Sequence, residues 1–148
     1  MEDALNLQQT SIEQYNIKVE RRYQQLPPIA VVKSKLFQIL INVVKNAIEA
    51  LIAGDEQEKR MIITLEEDEK NLIRLSIRDN GIGISKEHLD KIFSFGFTTK
   101  TNGHGYGIHS CALIAKELGG SITARSDGLN QGATFILAIP QRGLFDQS

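Results

Sequence analysis

The sequence predicts a two-layer α/β sandwich, in which a mixed, mostly antiparallel sheet of about five strands carries about three helices on one face. Three observations lead there. Alternating apolar residues mark strands that come in pairs, at 61–66 with 72–78 and at 121–126 with 133–139. Helical patterns stand before and between those pairs. The longest helix, from Lys35 to Leu51, is apolar nearly all round through Leu36, Ile39, Leu40, Val43, Val44, Ala47 and Ile48, so it must be buried. A sheet covered on one face by such a helix accommodates all three.

Each element has its own signal. A short helix is expected at 3–9, and the alternation of Ile17, Val19 and Arg21 reads as a strand. Pro27 and Pro28 break the chain, with a short extended segment at 29–32. Ser34 is placed to cap the long helix, which runs to Ala53 and stops at Gly54. The polar segment from Glu67 to Asn71 suits a hairpin between the first strand pair. Ser85 opens a short helix ending near Phe93. Residues 94–106, rich in Gly, Thr and Ser without periodicity, read as a long mobile loop. Ile108, Cys111, Ala112, Ala115 and Leu118 then repeat at helical spacing, and Gly119 closes that helix. The turn-rich stretch from Asp127 to Gly132 joins the last two strands.

At 148 residues the chain fits one domain, with 1–33 as its N-terminal helix and strand portion. A net charge of -1 excludes a global pull toward nucleic acid or an anionic membrane. Cys111 is the single cysteine, which rules out an internal disulfide and fits a reducing compartment. No apolar run is expected to reach the length of a membrane span, and residues 1–30 lack a signal-peptide pattern. The expectation is a soluble, cytoplasmic, monomeric domain without direct membrane contact, any anchor lying elsewhere in a parent protein.

The chemistry begins on the long helix. Gln38, Asn42, Asn46 and Glu49 fall on one stripe of it, and buried amides and carboxylates need partners. One reading is an ordinary solvent-facing stripe. The other is a cation site, since two mid-helix Asn have poor propensity and amide oxygens are hard ligands suited to Mg²⁺. Next comes Asp79-Asn80-Gly81-Ile82-Gly83. By strand parity Asp79 faces inward with Ile73, Leu75 and Ile77, where a carboxylate needs donors such as an adenine amine, and the glycines allow close approach to a flat base. Asn80-Gly81 is also a hairpin signal, but a helix start follows it rather than a strand.

Gly103-His104-Gly105-Tyr106-Gly107 directly precedes the helix from Ile108. Free amides at a helix start form an anion site for phosphates, although flexible-linker glycines would look similar. Phe93, Phe95 and Phe97 around Gly96 could anchor a lid, with Thr98, Thr99 and Lys100 offered to a triphosphate, or they could be a plain loop with a hydrophobic staple. Gly132-Ala133-Thr134-Phe135 opens the last strand, with Thr134 able to hydrogen-bond near a base.

Taken in order, these segments resemble the GHKL superfamily of ATP-binding domains, which have the Bergerat-type fold, and within it the catalytic domains of sensor histidine kinases. The likeness runs from about Ser34 to Pro140. It implies that Asn46 holds Mg²⁺, with Asn42 as second ligand, and that Asp79 binds the adenine amine in a pocket shaped by Gly81 and Gly83. It implies that Glu49, Ile84, Phe93, Ile108 and Thr134 border the nucleotide. Residues 94–106 would be the ATP lid, in which Thr99, Lys100, Gly103, His104, Gly105, Tyr106 and Gly107 meet the phosphates. Asn42, Asn46 and Lys100 would be the catalytic set. His104 and Tyr106 stand where many relatives carry Thr and an aliphatic residue, changes that remove no donor amide.

Hydrolases of this superfamily carry a Glu one helical turn before the Mg²⁺-binding Asn, as general base for water. Asn42 stands there instead, and an amide takes no proton from water at neutral pH. The resemblance therefore implies phosphoryl transfer from ATP to a histidine, with a non-catalytic ATP sensor or, further off, a GHKL ATPase as alternatives. His88, His104 and His109 do not lie in an acceptor-type helical hairpin. The expected partners are a dimerisation and phosphoacceptor domain of the parent chain and a response-regulator receiver domain.

Overall fold

The computed structural model describes residues 1–26, 32–93 and 107–140. Two short helices, α1 (Glu2–Leu7) and α2 (Gln9–Gln14), lead into β1 (Lys18–Tyr23). The long α3 (Lys33–Ala53) is followed by the hairpin of β2 (Arg60–Glu67) and β3 (Leu72–Asp79). After α4 (Lys86–Leu89) and α5 (Gly107–Glu117), the chain closes with β4 (Ser121–Arg125) and β5 (Ala133–Pro140). The sheet order is β1-β2-β3-β5-β4. Only the β1–β2 pair is parallel; the other three neighbouring pairs are antiparallel. The predicted mixed five-stranded sandwich is the architecture found.

Alternation makes the sheet two-faced. On β3, Ile73, Leu75, Ile77 and Asp79 are buried while Arg74, Ser76 and Arg78 turn away. Ala133, Phe135, Leu137 and Ile139 of β5 join the same core, which α3 completes with Ile39, Leu40, Val43, Val44, Ala47, Ile48 and Leu51. Each large aliphatic buried here contributes about 1.5–3 kcal/mol. That sum easily outweighs the cost of a half-buried polar stripe on the same helix. The ion pair from Lys35 to Glu117, 2.6 Å across the exposed rim of α3 and α5, adds about 0–1 kcal/mol.

Four expectations need correction. The N-terminal helical region extends to Gln14 as two helices, because Ile12 packs into the core alongside Ala4 and Leu5. Val32, not Ser34, occupies the N-cap of α3, and no side chain caps it. The helix opened by Ser85 is one turn, ending at Leu89 rather than near Phe93, although the Ser85 hydroxyl does accept from the His88 N–H at 3.2 Å. Finally, α3 is 21 residues long and apolar enough to cross a membrane. Here its apolar face lies on the sheet, with Ile39, Val44 and Ala47 wholly buried, so it serves as the core helix.

Two links set the loop after β3. Gly81 lies so close to the end of α3 that a Cβ there would sit 2.4 Å from the Ala50 carbonyl oxygen. That carbonyl takes the Gly54 N–H at 3.1 Å in the last turn of α3 and, on its second lone pair, the Ile82 N–H at 2.9 Å. Gly83 has φ +75, and a Cβ would sit 2.1 Å from the Gly128 carbonyl oxygen. Ser126, just past β4, ties this loop to the 127–132 turn. Its hydroxyl accepts the Ile84 N–H at 3.0 Å and donates to the Gly132 carbonyl at 2.6 Å.

Removing that hydroxyl leaves a part-buried N–H and a carbonyl without their shared partner. Ser126→Ala is therefore expected to lower unfolding free energy by about 1–3 kcal/mol, measured by urea denaturation. A loss indistinguishable from zero would contradict this bridging role.

Candidate functional site

Asp79 ends β3 facing the core and is 2% exposed, the one buried charged residue among those described. Its strand partners are Met61 of β2 and Ala133 of β5. Oδ1 accepts the Gly81 N–H at 2.9 Å. Oδ2 is buried with no hydrogen-bond partner. Burial pushes the carboxyl up to about 6, against the opposing pull of the Gly81 and Ala133 backbone N–H groups. A buried, unsatisfied acceptor of this kind costs stability, so it points to a donor supplied from outside the chain.

The docking of Gly81 and Ile82 on Ala50 brings this strand end against the last turns of α3. Asn46 stands one turn before Ala50 on the same side of the helix, half-buried, with Glu49 half-buried beside it. Asp79, Gly81 and the Asn46 turn thus gather at one end of α3. Among the described residues no three His, Cys, Asp or Glu side chains cluster to hold a metal alone. A cation here would rest on one or two amide ligands and on a phosphate-bearing ligand, which is the habit of Mg²⁺.

Asn42 is used differently. Its Nδ2 donates to the Gln38 carbonyl at 3.0 Å, and its side chain hydrogen-bonds the Cys111 thiol of α5. Burial pushes that thiol up to about 12. Asn42 thus has bonds within α3 and toward α5, formed by the side chain expected as a second cation ligand.

Phe93 stacks edge-on against Phe135, with ring centroids 6.4 Å apart and planes at 88°. His109 Nδ1 lies 3.0 Å from the Phe93 carbonyl oxygen. Gly107 begins α5, and Ile108 packs against the core from its first turn. Ile84 packs against the core and is held by Ser126.

Thr134 is not brought to the site. It pairs with Arg78, and Ala133 pairs with Asp79, so alternation sends the Thr134 side chain to the opposite face of the sheet. Ala133 occupies the position beside the carboxylate. Thr99, Lys100, Gly103, His104, Gly105 and Tyr106 lie outside the described residues. Two contributors were missed: Ala133, which the same parity that placed Asp79 would have found, and Ser126, for which a serine after a strand is no signal by itself.

Comparison with known proteins fits this geometry. Residues 31–143, well over half the chain, match the family model described as histidine kinase-, DNA gyrase B- and HSP90-like ATPase. Sporulation kinase D of Bacillus subtilis (strain 168) is 34% identical over 128 residues, 85% of this chain and 24% of that protein. Sensor protein SrrB of Staphylococcus aureus (strain NCTC 8325 / PS 47) is 36% identical over 113 residues, 72% of this chain and 18% of that protein. The chain thus spans about a quarter or less of these curated relatives. The solved catalytic domain of histidine kinase ThkA, in a nucleotide-free form, aligns with a TM-score of 0.80 at 34% identity, covering 95% of this chain and 90% of that one. Full-length ShkA in complex with AMPPNP aligns with a TM-score of 0.81 at 24% identity, covering 96% of this chain and 29% of that one, a likeness of fold. With its buried strand-end carboxylate, amide-bearing helix and near-complete match to a solved kinase domain, the chain belongs to the histidine kinase-, DNA gyrase B- and HSP90-like ATPase family, as the ATP-binding catalytic domain of a sensor histidine kinase.

Proposed function

We propose that this domain binds ATP with Mg²⁺ and directs the γ-phosphoryl group to a histidine on a separate dimerisation and phosphoacceptor domain of its parent chain, in the cytoplasm, for onward transfer to a receiver-domain aspartate. The observation that carries the reading is the orphaned Asp79 Oδ2. An adenine exocyclic amine is the kind of donor it lacks, and ShkA, which shares the fold, was solved with AMPPNP.

The residues divide the work by chemistry. Asp79 reads the base edge, and Gly81 and Gly83 let the loop beside it close on the Ala50 and Gly128 carbonyls. Asn46 offers an amide oxygen to Mg²⁺, which when bound neutralises charge on the phosphates. Gly107 and Ile108 present first-turn amides of α5 to the phosphates, with Thr99 and Lys100 as further ligands by resemblance. Asn42, a hydrogen-bonded amide, supplies no base to activate water, which disfavours hydrolysis against transfer. His109 is engaged with the Phe93 carbonyl, which speaks against it as the acceptor and supports an acceptor on another domain.

The pH dependence has a definite sign. The Asp79 carboxyl is raised to about 6 in the fold from 3.8 in an open chain, so the fold favours its protonated form. Stability associated with it is lost as pH rises between those values, on the order of 3 kcal/mol. An amine donor favours the ionised form, so ATP affinity should weaken as pH falls below about 6. Asp79→Asn is expected to abolish ATP binding in calorimetry at pH 7.5, while making the nucleotide-free domain more stable by about 1–2 kcal/mol. Tight ATP binding by that variant would remove Asp79 from the base pocket.

Phosphoryl transfer is tested by mixing the domain, labelled ATP and Mg²⁺ with the parent's acceptor domain. Label should appear in acid-labile histidine linkage, and Asn46→Asp should cut its rate by about 10–100-fold while nucleotide still binds. Binding without any transfer would favour a nucleotide sensor, and steady phosphate release by the isolated domain would favour an ATPase.

A further inference from the structure

We infer that His109 is a positioning residue for the nucleotide's phosphates, an inference that rests on the nucleotide reading above. The observation is the 3.0 Å contact between His109 Nδ1 and the Phe93 carbonyl oxygen. A carbonyl can only accept, so Nδ1 carries the proton and donates.

Both ends of this bond are well founded. The Phe93 ring meets Phe135 edge-on, and Phe135 is 2% exposed in the core row opposite Ile77. On the far side, α5 is seated by Cys111, Ala115 and Leu118, all wholly buried. Those wholly buried anchors start at Cys111, and in the first turn Ile108 is only partly buried against the core. Gly107 and Ile108 precede them in the first described turn of the helix, where backbone N–H groups point along the axis toward its start. The His109 side chain is the polar joint that holds this turn to a residue stacked on the sheet core. It also fixes where the chain leaves at Phe93 relative to where it returns at Gly107.

Amide donors aimed at a phosphate weaken steeply when misaligned. The base reader is held by different contacts, since Asp79 sits on β3 and its loop is seated on Ala50 of α3. Losing the His109 bond should therefore weaken recognition of phosphates and leave recognition of the base alone. That separation distinguishes positioning from general support of the fold.

The side-chain isosteres sharpen the test. Asn carries its N–H close to where imidazole Nδ1 sits, whereas Gln reaches toward the position of Nε2. The 148-residue chain and its His109→Ala, His109→Asn and His109→Gln variants would be titrated with Mg²⁺–ATP and with adenosine by calorimetry and NMR. The Ala and Gln variants should bind ATP about three- to tenfold more weakly, with adenosine affinity unchanged and the Asn variant close to wild type. Unchanged ATP affinity in the Ala variant would overturn the inference. So would equal losses for ATP and adenosine, or failure of Asn to restore binding. A wild-type chain that binds neither ligand would overturn the nucleotide reading itself, and this inference with it.

Discussion

An ionisable carboxyl held at the buried end of a central strand is the constraint on which the rest of this domain depends. Asp79 sits between β2 and β5 with one oxygen satisfied by the Gly81 N–H and the other by nothing. A fold selected for stability alone would place an aliphatic residue there, as it does at Ile73, Leu75 and Ile77 on the same face. The surrounding loop closes around the buried carboxyl while its backbone stays satisfied. Gly81 gives up a side chain so that the chain can close on the Ala50 carbonyl, and Ser126 binds the next residues to the neighbouring turn. Stability forgone at one atom becomes recognition of one donor.

The polar stripe of α3 runs from contacts with α5 toward the end of the helix that meets the loop after β3. Near the middle of the helix, Asn42 bonds the Gln38 carbonyl of its own helix and the Cys111 thiol of α5. One turn later comes Asn46, and one turn after that Ala50, on which the loop after β3 lands. Identical side chains four residues apart thus face different surroundings.

Much of the fold was legible in the sequence because period-two and helical patterns report burial directly. β2, β3 and β5, and the apolar faces of α3 and α5, follow from that alone. The insertion of β5 between β3 and β4 did not, since alternation says which face is buried but not which strand is the neighbour. The cap of α3 was misplaced because a serine near a helix start is a common signal, and here the extended Val32 takes the position without any side-chain bond. The length and apolarity of α3 match a membrane span as well as a core helix, and only its packing on the sheet separates the two.

The candidate site was legible where chemistry and parity agreed. Asp79 followed from three inward neighbours on its strand, whereas the glycines, expected to let backbone approach a base, here admit the Ala50 and Gly128 carbonyls. Thr134 was drawn in by the resemblance against the parity of its own strand, and the structure sides with parity. Ser126 and the His109–Phe93 bond join residues distant in sequence, so only the folded chain brings them together.

The most direct measurement is the NMR titration of the Asp79 carboxyl carbon, with and without saturating Mg²⁺–ATP. The nucleotide-free domain should titrate near 6, well above an ordinary aspartate, and the complex should hold the carboxyl ionised through that range. An ordinary titration in the free domain, or one that nucleotide leaves unchanged, would contradict the account.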